Sequence, residues 1–229
     1  MDNILLNPRE RILFKMELQQ CFSAKRIPIF ALLALIGIFL VVQESELSPL
    51  VVVVLVVFAI LEAQFNNILF RSPNELEALS MFPISWSRVV LVKNLATIVL
   101  SGIITIIIAM VILYFSPKAV DTSIISEALL YASTIIFPLL HIGNNESLRS
   151  PRKLAGWHLD DLVQAAGMFL FVLVLSFPYI LFTAALRLPV LNIVYSTAMA
   201  WYWYNHSIPK TASTIEQKKT ELCQQTFSN

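Results

Sequence analysis

The chain has 229 residues, 57% of them hydrophobic and 14% charged, with a mean hydropathy of +0.74 and a formal net charge of +1. Water-soluble domains carry about a quarter charged residues, so the composition excludes an ordinary soluble enzyme and describes an all-α polytopic membrane protein. The near-neutral charge gives no reason to expect a nucleic-acid partner. The two cysteines, Cys21 and Cys223, stand one in each polar end without framework spacing and read as free, reduced thiols.

Residues 1–26 form the first predicted element. Asn7-Pro8-Arg9-Glu10 is a helix start, with proline at the first position and glutamate at the third. Phe14, Leu18 and Cys21 follow at helical spacing among Arg9, Arg11, Lys15, Lys25 and Arg26. A basic helix with an apolar stripe suits the membrane interface, the alternative being a solvated helix that packs on a partner. No cleavage site of small residues follows the first apolar run, so a signal peptide is not expected.

Six apolar runs follow: Ile27–Gln43, Pro49–Gln64, Val89–Phe115, Ser123–Leu140, Asp161–Ala185 and Pro189–Asn205. Each is long enough to be a membrane helix, at about 17 residues or more. Pro178 divides the fifth, so residues 179–188 are expected to be a kinked end or a short re-entrant piece. The sixth ends in Trp201-Tyr202-Trp203-Tyr204, an aromatic belt, and a tail of residues 206–229 follows. Placing both termini and the 65–88 and 141–160 loops on one side, with Lys93 just inside the third span, gathers 14 of the 16 basic residues there, leaving Lys118 and Arg187 opposite. By the positive-inside rule this predicts six spans across the cell (inner or plasma) membrane with both ends cytosolic.

Between the second and third runs, residues 72–95 read SPNELEALSMFPISWSRVVLVKNL. Ser72 is a candidate N-cap, Pro73 the first helical residue and Glu75 the third, and Pro83 ends the helix. The product is a short cytosolic helix over 72–82 with Leu76 and Leu79 beside Glu75 and Glu77. It either seats in a groove of a cytosolic partner or covers the bundle.

Chemistry is sparse. His141, His158 and His206 lack metal-ligand spacing, and structural roles are favoured for them. Asn145 and Asn205 match the glycosylation pattern but fall on the predicted cytosolic side. Glu62, Lys93, Glu127, Asp160 and Asp161 all lie within about two turns of a predicted interface. Glu62 and Lys93 are expected to snorkel or to pair with each other. There is no Walker sequence, paired-aspartate motif or nucleophile–base arrangement within the spans, so no enzymatic activity is expected on this chain. Ser101, Thr105, Ser133 and Thr134 are among the few polar groups inside spans that can touch cargo, although such hydroxyls commonly bond their own helix.

The N-terminal amphipathic helix, the six runs, and Leu79, Pro83, Ser85, Arg88 and Lys93 in that order together resemble the membrane subunits of type-2 ATP-binding-cassette exporters. Two features depart from that pattern: a small Gly-Thr-like pair is missing from the loop helix, and Val92 precedes the lysine where glycine is common. The resemblance implies a permease, usually paired with a second copy of itself, and an ATPase subunit on a separate chain that binds ATP and Mg; no cofactor is expected on this one. Residues 72–82 become the coupling helix that docks on the ATPase, through Glu75, Leu76, Glu77, Leu79, Met81, Phe82 and Arg88, with Arg149, Arg152 and Lys153 in a second contact. Residues 1–26 become the elbow helix. The otherwise apolar interior of the runs suggests a lipid-like or amphipathic cargo. The rival readings are a membrane scaffold that recruits a soluble protein, and a lipid-modifying enzyme built on Glu62, Asp160, Asp161 and the basic loop.

Overall fold

The computed structural model describes residues 6–21, 78–81, 83–115, 123–149 and 174–227, and every regular element among them is helical. The predicted runs at 27–64 and the first part of the fifth, with residues 72–77 of the loop helix, lie outside the described residues.

Helix α1 (Pro8–Cys21) starts where the sequence signals it. The Asn7 side-chain oxygen accepts the Glu10 N–H at 2.9 Å, and Glu10 Oε2 accepts the Asn7 N–H at 2.8 Å. This reciprocal capping box satisfies two end groups that a helix leaves open. Leu13 is buried beneath the helix with Glu10 and Glu17, whereas Ile12 and Met16 face outward.

Helix α2 (Trp86–Phe115) has 30 residues, and its stretch Trp86–Ile107 is the one among the described residues long and apolar enough to cross a membrane. Helix α3 (Ser123–Arg149, 27 residues) packs against it. Each is about 40 Å long at 1.5 Å per residue. The seven residues that join them reach at most about 27 Å, so the two must run antiparallel. The apolar run of the sequence stops at Leu140, yet α3 continues to Arg149. Leu140, Asn144 and Leu148 stay buried at four-residue spacing, so the last turns keep a packed face while their composition turns polar.

The chain resumes helically at 174 and turns at Ser176, two residues before Pro178. Helix α4 (Phe177–Ile180) and a π-helical turn (Leu181–Ala185) follow, with Pro178 in the first turn of α4. Arg187 then takes a positive φ of 54° in the turn that leads to α5 (Val190–Tyr202). A second π turn (Trp203–Ser207) connects α5 to α6 (Ile208–Phe227) without breaking the helix. Its cause is local. Pro209 has no N–H to offer the Asn205 carbonyl, and the Ile208 N–H shifts to the Trp203 carbonyl, five residues back.

Helix α3 packs on both α5 and α6, and α6 reaches α2. Phe137 meets Trp203 with ring centres 5.6 Å apart, and His141 meets Tyr202 at 5.7 Å. The His141 Nδ1 also shares a 2.8 Å hydrogen bond with Ser207 Oγ. The late part of α3 therefore marks the same end of the bundle as the first turns of α2, and α6 starts there. The N-terminal and C-terminal helices thus gather at one end.

The polarity of these helices divides by position. On α2, Asn94, Thr97, Ser101 and Thr105 are buried, while Val99, Ile103, Ile106, Ile107, Met110 and Tyr114 are exposed. At about 100° per residue the exposed strip is centred about 170° from the buried polar one. Helix α5 repeats this, with Asn192 and Ser196 buried and Val190, Ile193 and Val194 exposed. Beyond the π turn the sense reverses: Ile208, Ala212 and Ile215 of α6 are buried and Lys210 is exposed.

Candidate functional site

At its first turns α2 is covered on every side, so that residues 89 through 94 are all buried. Two basic residues there meet two acids of α1. Arg88 donates to Glu10 through Nε (2.6 Å, to Oε1) and Nη2 (2.8 Å, to Oε2), the bidentate geometry that favours arginine over lysine. Lys93 Nζ lies 2.8 Å from Glu17 Oε1, with the two side chains 2% and 7% exposed. The Arg88 hydrogen bonds hold the Glu10 carboxyl below the usual carboxylate range, against burial, which acts the other way, and with help from the Asn7 N–H and the arginine charge. Glu10 therefore caps its own helix and fixes that helix to α2.

Lys93 thus takes Glu17 as a partner, whereas Glu62, the partner suggested by the sequence, lies outside the described residues with Asp160 and Asp161. Glu10 and Glu17 were not singled out as binding groups by the sequence. The available signal is their seven-residue separation, which puts both acids on one helix face with Leu13 between them.

Of the residues expected to dock on an ATPase, Glu75, Leu76, Glu77, Arg152 and Lys153 lie outside the described residues, as does Phe82. Residues 78–81, the described part of the 72–82 segment, are helical. Leu79 is buried within the chain itself, while Met81 is 74% exposed. Arg88 is committed to Glu10, and Arg149 is the last residue of α3. The groups are therefore split between a face that holds the chain together and one, at Met81, that is open.

The four hydroxyls considered as cargo contacts also divide. Thr134 bonds the Tyr131 carbonyl at 2.7 Å, and Ser133 bonds the Leu130 carbonyl at 2.7 Å and shares a contact with Ser196 Oγ at 3.1 Å. Both are occupied locally. Ser101 Oγ and Thr105 Oγ1 are buried without a hydrogen-bond partner, and so are both amide atoms of Asn94, two turns before Ser101 on the same helical face. Leaving a buried polar group unpaired costs about 1–3 kcal/mol, so this column is the least satisfied part of α2. Asn94 escaped notice in the sequence because it directly follows Lys93 and reads as part of the polar border.

Among the described residues no group of three His, Cys, Asp or Glu is placed to hold a metal. His141 is instead a packing residue. Burial first, and the Lys210 charge second, push its pKa down, and Asn145 contacts its Nε2 at 3.3 Å. Comparisons with protein-family models, with curated proteins and with solved structures gave no match.

Proposed function

We propose that this chain is the membrane-spanning permease subunit of a type-2 ATP-binding-cassette exporter, with six spans, both termini cytosolic, and its ATPase on a separate chain. The inverted polarity of α2 and α5 supports a hydrocarbon surrounding, because helices in water expose polar groups and bury apolar ones. The return to ordinary polarity in α6 falls at Trp203–Ser207, next to the aromatic residues Trp201, Tyr202 and Tyr204, where a lipid–water boundary is expected. Helices α1 and α6 both lie at that end, which suits one cytosolic side for both termini.

The observation that carries the coupling part is the continuity of the loop pattern. The helical turn at 78–81, the bend at Pro83 and Ile84, and the Arg88 and Lys93 positions follow one another in the order the resemblance expects, with α2 starting at Trp86. Force applied to the loop helix would enter α2 at its base, where the ion pairs to α1 stiffen it. ATP-driven closure of the partner would then rock α2 and its neighbours between inward- and outward-facing arrangements.

The test is copurification of the tagged chain from its own cells in mild detergent. An ATPase subunit is expected near one-to-one, and is lost when Leu76→Asp is combined with Met81→Asp. Met81 replaces Leu79 as the informative position, since Leu79 is buried and its change would disturb folding. A chain that emerges without ATPase from several gentle detergents would overturn the proposal.

A further inference from the structure

We infer that Asn94, Ser101 and Thr105 form a binding column for the uncharged, hydrogen-bonding part of a lipid-like ligand. This names the cargo chemistry of the permease proposed above and rests on that reading. The column is anomalous because its groups decline the local remedy. A hydroxyl in an apolar helix normally bonds a carbonyl one turn back, as Thr97 does to Lys93 on this same helix at 3.2 Å. Ser101 and Thr105 do not, although they are only 3% and 1% exposed, and Asn94, at 0%, leaves both its donor and its acceptor unused.

Spacings of seven and four residues align the three groups over about 16 Å of one face. That face is turned from the exposed strip of Val99, Ile103, Ile106 and Ile107, so it points into the bundle and away from surrounding lipid. No charged residue stands on α2 beyond Lys93, whose ammonium is held by Glu17. On α2 itself a charged headgroup would find no counter-ion beside the column, and would bear the cost of an unpaired charge in a dry site. Hydroxyl, amide or ether oxygen groups, by contrast, match an amide followed by two hydroxyls, each able to donate and accept. The column is closed in this arrangement, so a ligand reaches it when α2 separates from its neighbours.

The test uses the full chain, with whatever copurifies, in phosphatidylcholine nanodiscs. The probes are a photoactivatable diacylglycerol, neutral and hydroxyl-bearing, and the corresponding phosphatidic acid. The diacylglycerol is expected to label α2 between residues 94 and 108, and labelling should fall at least about fivefold in Asn94→Leu/Ser101→Ala/Thr105→Val. That variant should unfold at the wild-type temperature or higher, because it removes groups that have no partner. Equal labelling of the variant, equal labelling by phosphatidic acid, or a lowered unfolding temperature would each overturn the site. Loss of the site with ATPase still bound condemns only this inference, whereas labelling on a chain that never binds ATPase condemns only the exporter.

Discussion

The Glu17–Lys93 contact makes a demanding prediction. Glu17→Gln keeps the shape of the side chain and removes its charge, leaving the Lys93 ammonium buried without its carboxylate. The contact is 2.8 Å long and both side chains are almost entirely out of solvent, so the loss should fall in the range for breaking a buried pair, about 3–5 kcal/mol. Replacing both partners, in Lys93→Met with Glu17→Leu, should return the protein to within about 1 kcal/mol of wild type, because no charge is then stranded. The cost is borne by the docking of α1, so the assay is limited trypsin digestion at Arg11 and Lys15, both on the exposed side of that helix. Cleavage that tracks the undocked population should be at least about a hundredfold faster in Glu17→Gln and near the wild-type rate in the double variant. A single variant digested at the wild-type rate would refute the reasoning, as would a double variant as vulnerable as the single.

Other outcomes follow from neighbouring groups. Asn7→Ala removes the side-chain acceptor of the capping box and should cost about 1 kcal/mol, seen as roughly fivefold faster cleavage in the same digestion. Glu10 has its pKa lowered from 4.5 by Arg88, so its contribution is complete above about that pH and is lost as the pH falls through the depressed value. Amide exchange in α1, corrected for intrinsic rates, should therefore quicken below about pH 4.5 in wild type, and Glu10→Gln should weaken this acid dependence, leaving the part carried by the Glu17–Lys93 pair. On the exposed strip of α2, Ile107→Asp should cost up to about 3–4 kcal/mol of membrane insertion, while Ser101→Ala on the buried face should leave insertion unchanged. Equal yields of the two variants in the membrane fraction would contradict the polarity assigned to α2.

What the sequence made legible was what short-range rules control. The start of α1 depends on three residues within four positions, Asn7, Pro8 and Glu10, and it forms as they dictate. Helix α2 carries no proline between Trp86 and Phe115 and is apolar along most of its length. The end of α3 was hidden because apolarity reports the surroundings of a helix, while the helix itself persists as long as it has a face to bury, here through Leu148. Trp203 stands among four consecutive aromatic residues in the sequence, yet it is buried against Phe137, since residues 201 and 203 point about 200° apart. The ion pairs were hidden for a different reason. Glu10 and Glu17 also look like the charged side of a surface helix, and only the fold brings them to basic residues more than seventy positions away.

The geometry of those pairs says where α1 lies relative to the rest of α2. Taking Asn94 as the zero of the helical wheel, Arg88 and Lys93 stand at about 120° and 260°, bracketing the exposed apolar strip at about 170°. Helix α1 therefore covers, at the base of α2, the side that the apolar strip presents higher up, and the polar column points the other way. The outward Ile12 and Met16 of α1 continue that apolar exterior around the base. An N-terminal helix so placed is joined to α2 at two points on either side of its outward direction. Rotation of α2 about its axis would stretch one pair as it compressed the other, so α1 must travel with α2 or release it. On the exporter reading, α1 is then part of the moving body, and the stiffness of the two ion pairs determines how much of a push on the loop helix reaches the buried polar face.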